Sequence, residues 1–218
     1  MPSPHWIERL AHHLWYESSS PHPLLKPFSR LYRAGARLHR EAYETGRIAR
    51  QGLKVPVIVI GNITVGGTGK TPLTIWIAKR LKAHGYRVGI ISRGYGGITP
   101  RKPLRVKPDT SARLVGDEPV LIARQTGCPV YVFPKRIHAG KALLENDPVD
   151  VILSDDGLQH HELERDLEIL VIDGERGLGN GALLPAGPLR EDQERMNSVD
   201  FIVYQGPAPQ GAISMRLE

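Results

Sequence analysis

The residues best equipped for chemistry lie in one glycine-rich stretch, Gly61-Asn62-Ile63-Thr64-Val65-Gly66-Gly67-Thr68-Gly69-Lys70-Thr71. It follows an apolar β-branched run at 55–60 and leads into an amphipathic run that begins at Pro72, which is the order strand, loop, helix. Against the pattern G-x-x-x-x-G-K-[ST], Gly69, Lys70 and Thr71 fit, and Thr64 stands where the first glycine is expected. The chemistry survives that change. The loop from Thr64 and Val65 through Gly66, Gly67, Thr68 and Gly69 can turn backbone N–H groups toward phosphate oxygens, and the helix N-terminus adds partial positive charge. Lys70 is placed to reach the β- and γ-phosphates, and Thr71 to give its hydroxyl to Mg²⁺.

A second chemical stretch is Asp150-Val151-Ile152-Leu153-Ser154-Asp155-Asp156-Gly157-Leu158-Gln159-His160-His161. Its apolar run is a buried strand that delivers Asp155 and Asp156 to its carboxyl end, where an acid can hold Mg²⁺ directly or through water. Adjacent acids are also ordinary turn formers. A phosphate loop on the same inferred sheet edge favours the metal role. Arg93-Gly94-Tyr95-Gly96-Gly97 follows another expected strand, at the edge where doubly wound sheets bind ligands, and Arg93 is expected to contact phosphate. Gly116-Asp117-Glu118-Pro119 opens a helix with acids in its first turn, as the helix dipole favours. The residues alone do not separate Asp117 from Glu118, or either from a cap.

The elements that must hold these groups are legible from apolar periodicity. Helices are expected over 71–84, 119–125 and 135–145. Strands are expected over 87–92, 129–133, 150–155 and 167–173, with a last strand over 199–204 and a loop with a short strand at 98–108. This predicts an α/β fold of the P-loop NTPase type, a mostly parallel sheet flanked by helices, with an N-terminal helical extension. A chain of 218 residues can bury a substantial core. Its +6 formal charge suggests an acidic partner without choosing among nucleic acid, anionic membrane and phosphorylated substrate. The single cysteine, Cys128, excludes an internal disulfide framework and reads as a small buried apolar residue beside a strand. No segment has the apolar length of a membrane span or a secretory leader, so a soluble or peripheral protein of the cytoplasm is expected.

Residues 1–52 form the extension, with five of the nine histidines and two of the three tryptophans. Leu24, Phe28, Leu31 and Leu38 recur at helical spacing, while Lys26, Arg30, Arg33, Arg37 and Arg40 recur two residues later, about 200° around the helix. Trp6, Leu10 and Leu14 suggest a shorter face before the turn Ser18-Ser19-Ser20-Pro21-His22-Pro23. Such a helix can lie in a membrane interface, where apolar burial adds to attraction for anionic lipid. It can equally pack on the core with its arginines in water. Residues 53–205 form the expected core, and 206–218, with Gly206-Pro207-Ala208-Pro209-Gln210, read as the start of a linker.

Taken together, five stretches resemble the tetraacyldisaccharide 4'-kinases of lipid A biosynthesis. They are Val59-Ile60 with the glycine-rich loop through Pro72, Ser92-Arg93-Gly94-Tyr95-Gly96, Val115-Gly116-Asp117-Glu118-Pro119, Asp155-Asp156-Gly157-Leu158-Gln159-His160, and Leu184-Pro185-Ala186-Gly187-Pro188-Leu189-Arg190-Glu191. Thr64 is part of that likeness. The resemblance implies transfer of the ATP γ-phosphoryl group to the 4'-hydroxyl of a tetraacylated glucosamine disaccharide 1-phosphate. It implies that Lys70 and Thr71 serve the nucleotide and Mg²⁺, that Asp155 and Asp156 serve the metal, that Asp117 acts as base, and that Glu191 helps at the metal or substrate side. It further implies a peripheral place on the cytoplasmic face of the inner membrane, reached through the N-terminal basic helix, with no nucleic acid partner. Family members continue past this chain's last residue into a second subdomain whose histidine pairs with the catalytic aspartate, a position neither His160 nor His161 matches, so a shortened form is expected. A membrane-docked regulatory ATPase and a catalytically incomplete nucleotide-binding fragment are the alternatives. The N-K-x-D and D-x-x-G patterns of GTPases do not occur.

Overall fold

The computed structural model describes residues 5–18, 20–98 and 100–217. Eight strands make one sheet: β1 (Val57–Gly61), β2 (Val88–Ser92), β3 (Leu104–Val106), β4 (Val130–Val132), β5 (Val151–Asp155), β6 (Leu167–Asp173), β7 (Phe201–Gln205) and β8 (Ile213–Met215). They lie in the order β3-β4-β2-β5-β1-β6-β7-β8. Every neighbouring pair is parallel except β3 with β4. Parallel strands are covered on both faces and so are apolar throughout, which is why 57–60 and 151–153 read as continuous β-branched or leucine runs and 88–91 as one broken only by Gly89. Ile60, Ile90 and Leu153 point into one core layer, Val59, Ile91 and Ile152 into the other.

The helices in chain order are α1 (His5–His12), α2 (Lys26–Glu44), α3 (Lys70–Ala83), α4 (Ala112–Val115), α5 (Asp117–Thr126) and α6 (Arg136–Asn146). Within the sheet core, helices and strands fall within a residue or two of their expected bounds. Cys128 is buried just before β4. One expectation is corrected: 199–204 does not hold the last strand, because beyond the turn at 206–211 the chain returns as β8, parallel to β7. Three residues of alternating Ile, Ser and Met are too short a run to stand out by periodicity. Among the described residues no helix covers the face of β6, β7 and β8 beside α3, and it forms a groove of about 960 Å³ lined by Trp76, Ile169, Phe201, Val203, Ile213 and Leu217, among others.

In the extension, the reading in which the apolar stripe packs on the core is overturned. Helix α2 forms, but its apolar stripe faces outward, with Leu24, Phe28, Leu31 and Leu38 all more than 60% exposed. The opposite side meets the body: Ser29 donates to the Leu183 carbonyl (2.7 Å) and accepts from the Ala186 N–H (3.0 Å), and the Tyr32 hydroxyl donates to the Arg190 carbonyl (3.2 Å). Arg33 Nε lies 3.0 Å and Arg37 Nε 3.6 Å from the Asp192 carboxylate, and Arg40 pairs with Glu44. The basic stripe expected to meet lipid is thus largely engaged by the protein's own acids. Among the described residues, no helix is long and apolar enough to cross a membrane.

Candidate active site

The site grows from the register of two central strands. Strand β1 lies beside β5 with Ile60 opposite Asp155, so the glycine-rich loop and the acid pair leave the sheet at one edge. The turn after β5 is pressed against β1, since a Cβ on Gly157 would fall 2.4 Å from Ser154 Oγ and 3.0 Å from a Val59 methyl. The Gly157 N–H donates to the Ile60 carbonyl (3.1 Å). Asp156 takes φ +50°, a left-handed conformation that aspartate tolerates better than most residues.

Lys70 and Thr71 start α3 and are both buried. The Thr71 hydroxyl donates to Asp155 Oδ2 (3.2 Å) and the Thr74 hydroxyl to Asp155 Oδ1 (3.0 Å). Lys70 Nζ lies 3.6 Å and Arg190 Nη1 3.7 Å from Asp156 Oδ1. The two carboxylates consequently differ. Burial, reinforced by the nearby Glu118 charge, pushes Asp155 up to about 6. Burial also pushes Asp156 upward, but Lys70, Arg190 and Arg136 outweigh it and hold that acid below its ordinary value. Neighbouring acids with separated pKa values are a recurrent sign of divided roles.

The set fits a small hard cation. Asp155, Asp156 and the Thr71 hydroxyl present oxygen only, and Asp156 Oδ1 is buried without a hydrogen-bond partner. Within the loop, the Thr68 hydroxyl is likewise buried and unpartnered. Thr64 packs against 188–190 instead of opening a tight turn: it bridges Leu189, the Val65 N–H donates to the Pro188 carbonyl (2.9 Å), and the Arg190 N–H donates to the Ile63 carbonyl (2.7 Å).

Glu191 is buried, accepts from Gln159 Nε2 (2.7 Å) and has its pKa raised by burial. Gln159 Nε2 also bonds the Asn62 carbonyl (2.9 Å), which ties Glu191 to the start of the loop. Arg93 is exposed at the end of β2, where its charge reaches Arg136 and His160. Asp117 is exposed at the first position of α5, and among the described residues its carboxylate accepts no hydrogen bond. Its place is set by Gly116, at φ +86°, whose missing Cβ leaves room for the Tyr95 carbonyl. Two of the glycines after Arg93 face the same segment: a Cβ on Gly97 would fall 2.6 Å from the Leu114 carbonyl oxygen, and one on Gly94 3.0 Å from that of Val115.

Arg136 was missed by sequence reasoning. It is fully buried, its guanidinium donates to the carbonyls of Phe133 (3.2 Å), Asp155 (3.3 Å) and Asp156 (3.2 Å), and burial lowers its pKa to about 10. One signal was available: a cation at the first position of a helix opposes the dipole and calls for another partner.

Comparison with known proteins gives the family. A family described as "LpxK: Tetraacyldisaccharide-1-P 4'-kinase" matches residues 21–216. Tetraacyldisaccharide 4'-kinases from Nitrosococcus oceani and Vibrio parahaemolyticus are 52% and 49% identical over 197 and 215 residues, covering 90% and 97% of this chain. The chain spans only 58% and 62% of those proteins. A solved LpxK from Aquifex aeolicus, in complex with ATP, is 34% identical and superposes with a TM-score of 0.76 over 87% of this chain and 62% of that one. With this fold, this loop and these matches, the chain belongs to the tetraacyldisaccharide-1-P 4'-kinase family.

Proposed function

We propose that these residues form the ATP-binding and phosphoryl-transfer part of a kinase that phosphorylates the 4'-hydroxyl of a tetraacylated disaccharide 1-phosphate. The observation that carries the reading is the convergence of Lys70 on Asp156 and of Thr71 and Thr74 on Asp155 at the carboxyl edge of β1 and β5. In the relatives' names the same acceptor recurs, and the solved relative holds ATP.

In the reaction the 4'-oxygen bonds to the γ-phosphorus as the bond from that phosphorus to the β–γ bridging oxygen breaks, leaving ADP. The hydroxyl proton passes to a carboxylate, a role the family likeness gives to Asp117. Transfer of this kind is mostly positioning and charge neutralisation. The loop from Thr64 to Gly69 directs N–H groups at the phosphates, Lys70 and Arg93 add positive charge, and Glu191 steadies the loop's base through Gln159. Asp155, Asp156 and Thr71 would hold Mg²⁺, which would supply positive charge against the transferring phosphates.

Residues 1–52 make the lipid contact, at the cytoplasmic face of the inner membrane, through the exposed apolar face of α2 and through Lys26 and Arg30, which pair with no acid among the described residues. The core runs from residue 53 through β8, past the linker start expected at 206. The test is radiolabelled ATP with the disaccharide 1-phosphate. Label is expected in the lipid, with a loss of about 100-fold or more in Lys70→Ala, the scale on which a stabiliser of transition-state charge acts. Wild-type turnover in that variant removes the loop assignment, and ATP hydrolysis without labelled lipid supports the regulatory ATPase instead. Transfer that appears only after a relative's C-terminal part is appended assigns the missing groups to that part.

A further inference from the structure

The phosphate loop is held from outside by residues that the reaction does not use. Asp173 ends β6, next to β1, and its carboxylate accepts the N–H groups of Glu175 (3.0 Å) and Arg176 (3.1 Å) and the Arg176 Nε (2.6 Å). The guanidinium so fixed donates through Nη2 to the Gly67 carbonyl, and Nη1 lies 3.2 Å from where a Gly66 Cβ would stand. Its outer face rests on the Tyr16 ring, 5.8 Å from the centroid, and the Tyr16 hydroxyl donates to the Val65 carbonyl (3.4 Å).

Tyr16 is itself anchored. It belongs to a π-helical turn, His13–Glu17, a wide geometry common at functional positions. Asn180 Nδ2 donates to the Leu14 carbonyl (3.0 Å), the Asn180 N–H to the Trp15 carbonyl (2.7 Å), and Trp15 Nε1 to the Pro185 carbonyl (3.0 Å).

Peptide planarity gives these bonds a consequence. The C=O of one residue and the N–H of the next point in opposite directions. Drawing the Val65 and Gly67 carbonyls outward therefore turns the N–H groups of Gly66 and Thr68 inward, which is the arrangement that cradles phosphate. A loop with these directions already set loses less conformational entropy when it binds.

We propose that Arg176, braced by Tyr16, is a positioning residue for the phosphate loop, so that the segment before α2 contributes to affinity for nucleotide phosphates. The inference rests on the nucleotide reading above. A charged hydrogen bond and a cation–π contact of this kind correspond to roughly 5- to 30-fold in affinity.

The test is Mg·ATP binding by calorimetry, with the melting temperature of each nucleotide-free variant alongside. Arg176→Ala is expected to raise Kd about 10-fold, and Arg176→Lys less, because an ammonium keeps the charge and one donor. Tyr16→Ala is expected to raise Kd several-fold and Tyr16→Phe less, because the ring remains. The double variant Tyr16→Ala/Arg176→Ala should fall short of the product of the single effects, as contacting residues do. Nucleotide-free melting temperatures should stay close to wild type.

A Kd within twofold of wild type in Arg176→Ala, while Lys70→Ala weakens binding, overturns the proposal and spares the nucleotide reading. A raised Kd in Arg176→Ala, Arg176→Lys and Tyr16→Ala alike, with a matching fall in melting temperature, also overturns it, since that is loss of fold. No weakening in Lys70→Ala overturns the nucleotide reading itself.

Discussion

At the scale of single residues, the acid pair shows function set against stability. Asp155 folds with its pKa raised to about 6 from 3.8. Between those values the folded chain binds more protons than the unfolded one, so stability falls as pH rises through that window and stays lower above it. A shift of this size corresponds to about 3 kcal/mol. Asp155→Asn, which keeps one acceptor for Thr71 or Thr74, should therefore melt higher than wild type at pH 7.5 without metal, and the advantage should vanish near pH 4. Mg²⁺ with ATP should raise the melting temperature of wild type more than that of the variant, and should do so less at pH 5 than at pH 7.5, because the acid must ionise to hold the cation. A lower melting point in Asp155→Asn at pH 7.5 would contradict burial as the dominant effect.

The acids themselves were legible because type and spacing carry their chemistry. Lys70, Thr71, Asp155 and Asp156 stand in short motifs at the ends of apolar runs, and the structure brings all four together. Arg136 and Gln159 act on carbonyls and on one buried carboxylate through tertiary contacts that have no local pattern. Asp117 remains, on geometry, an exposed acid at a helix start, which is why its role rests on family likeness.

At the scale of elements, α2 shows where periodicity stops informing. Helical spacing gave two opposite faces correctly, but spacing does not say which one meets the protein. Leucine inward and arginine outward is the usual solution. Here Asp192 and Ser29 reverse it: one acid engages two arginines and one serine bonds two backbone groups, which fixes the polar side to 183–192. The prediction for membrane contact shifts accordingly. Phe28→Glu/Leu31→Glu should cut binding to anionic vesicles about 10-fold or more, since each substitution loses apolar burial and adds repulsion. Arg33→Glu/Arg37→Glu should instead loosen α2 from the body, seen as faster amide exchange at 29–40. Equal vesicle binding by wild type and the Phe28/Leu31 variant would refute contact through the apolar face. The core strands, by contrast, were readable because burial on both faces demands unbroken apolar runs. Strand β8 was not, because three residues at a sheet edge impose almost no demand.

At the scale of the whole molecule, the sheet does two jobs with one topology. Placing β1 between β5 and β6 gathers the loop, the acid pair and Arg176 at one edge. The same order leaves β6, β7 and β8 bare on the face beside α3, where Phe201 and Ile213 are about half exposed. Exposed apolar area of this kind is sticky. These 218 residues should therefore behave as a poor colloid: a solvatochromic naphthalene-sulfonate dye should brighten with the native protein, and sedimentation should show reversible self-association that grows with concentration. Phe201→Ser with Ile213→Thr should dim the dye and reduce association while leaving ATP affinity within twofold, because both side chains line the groove and neither Lys70 nor Asp155 does. Handling of the protein, in purification as much as in assay, is thus governed by a groove that none of the proposed phosphoryl-transfer residues lines.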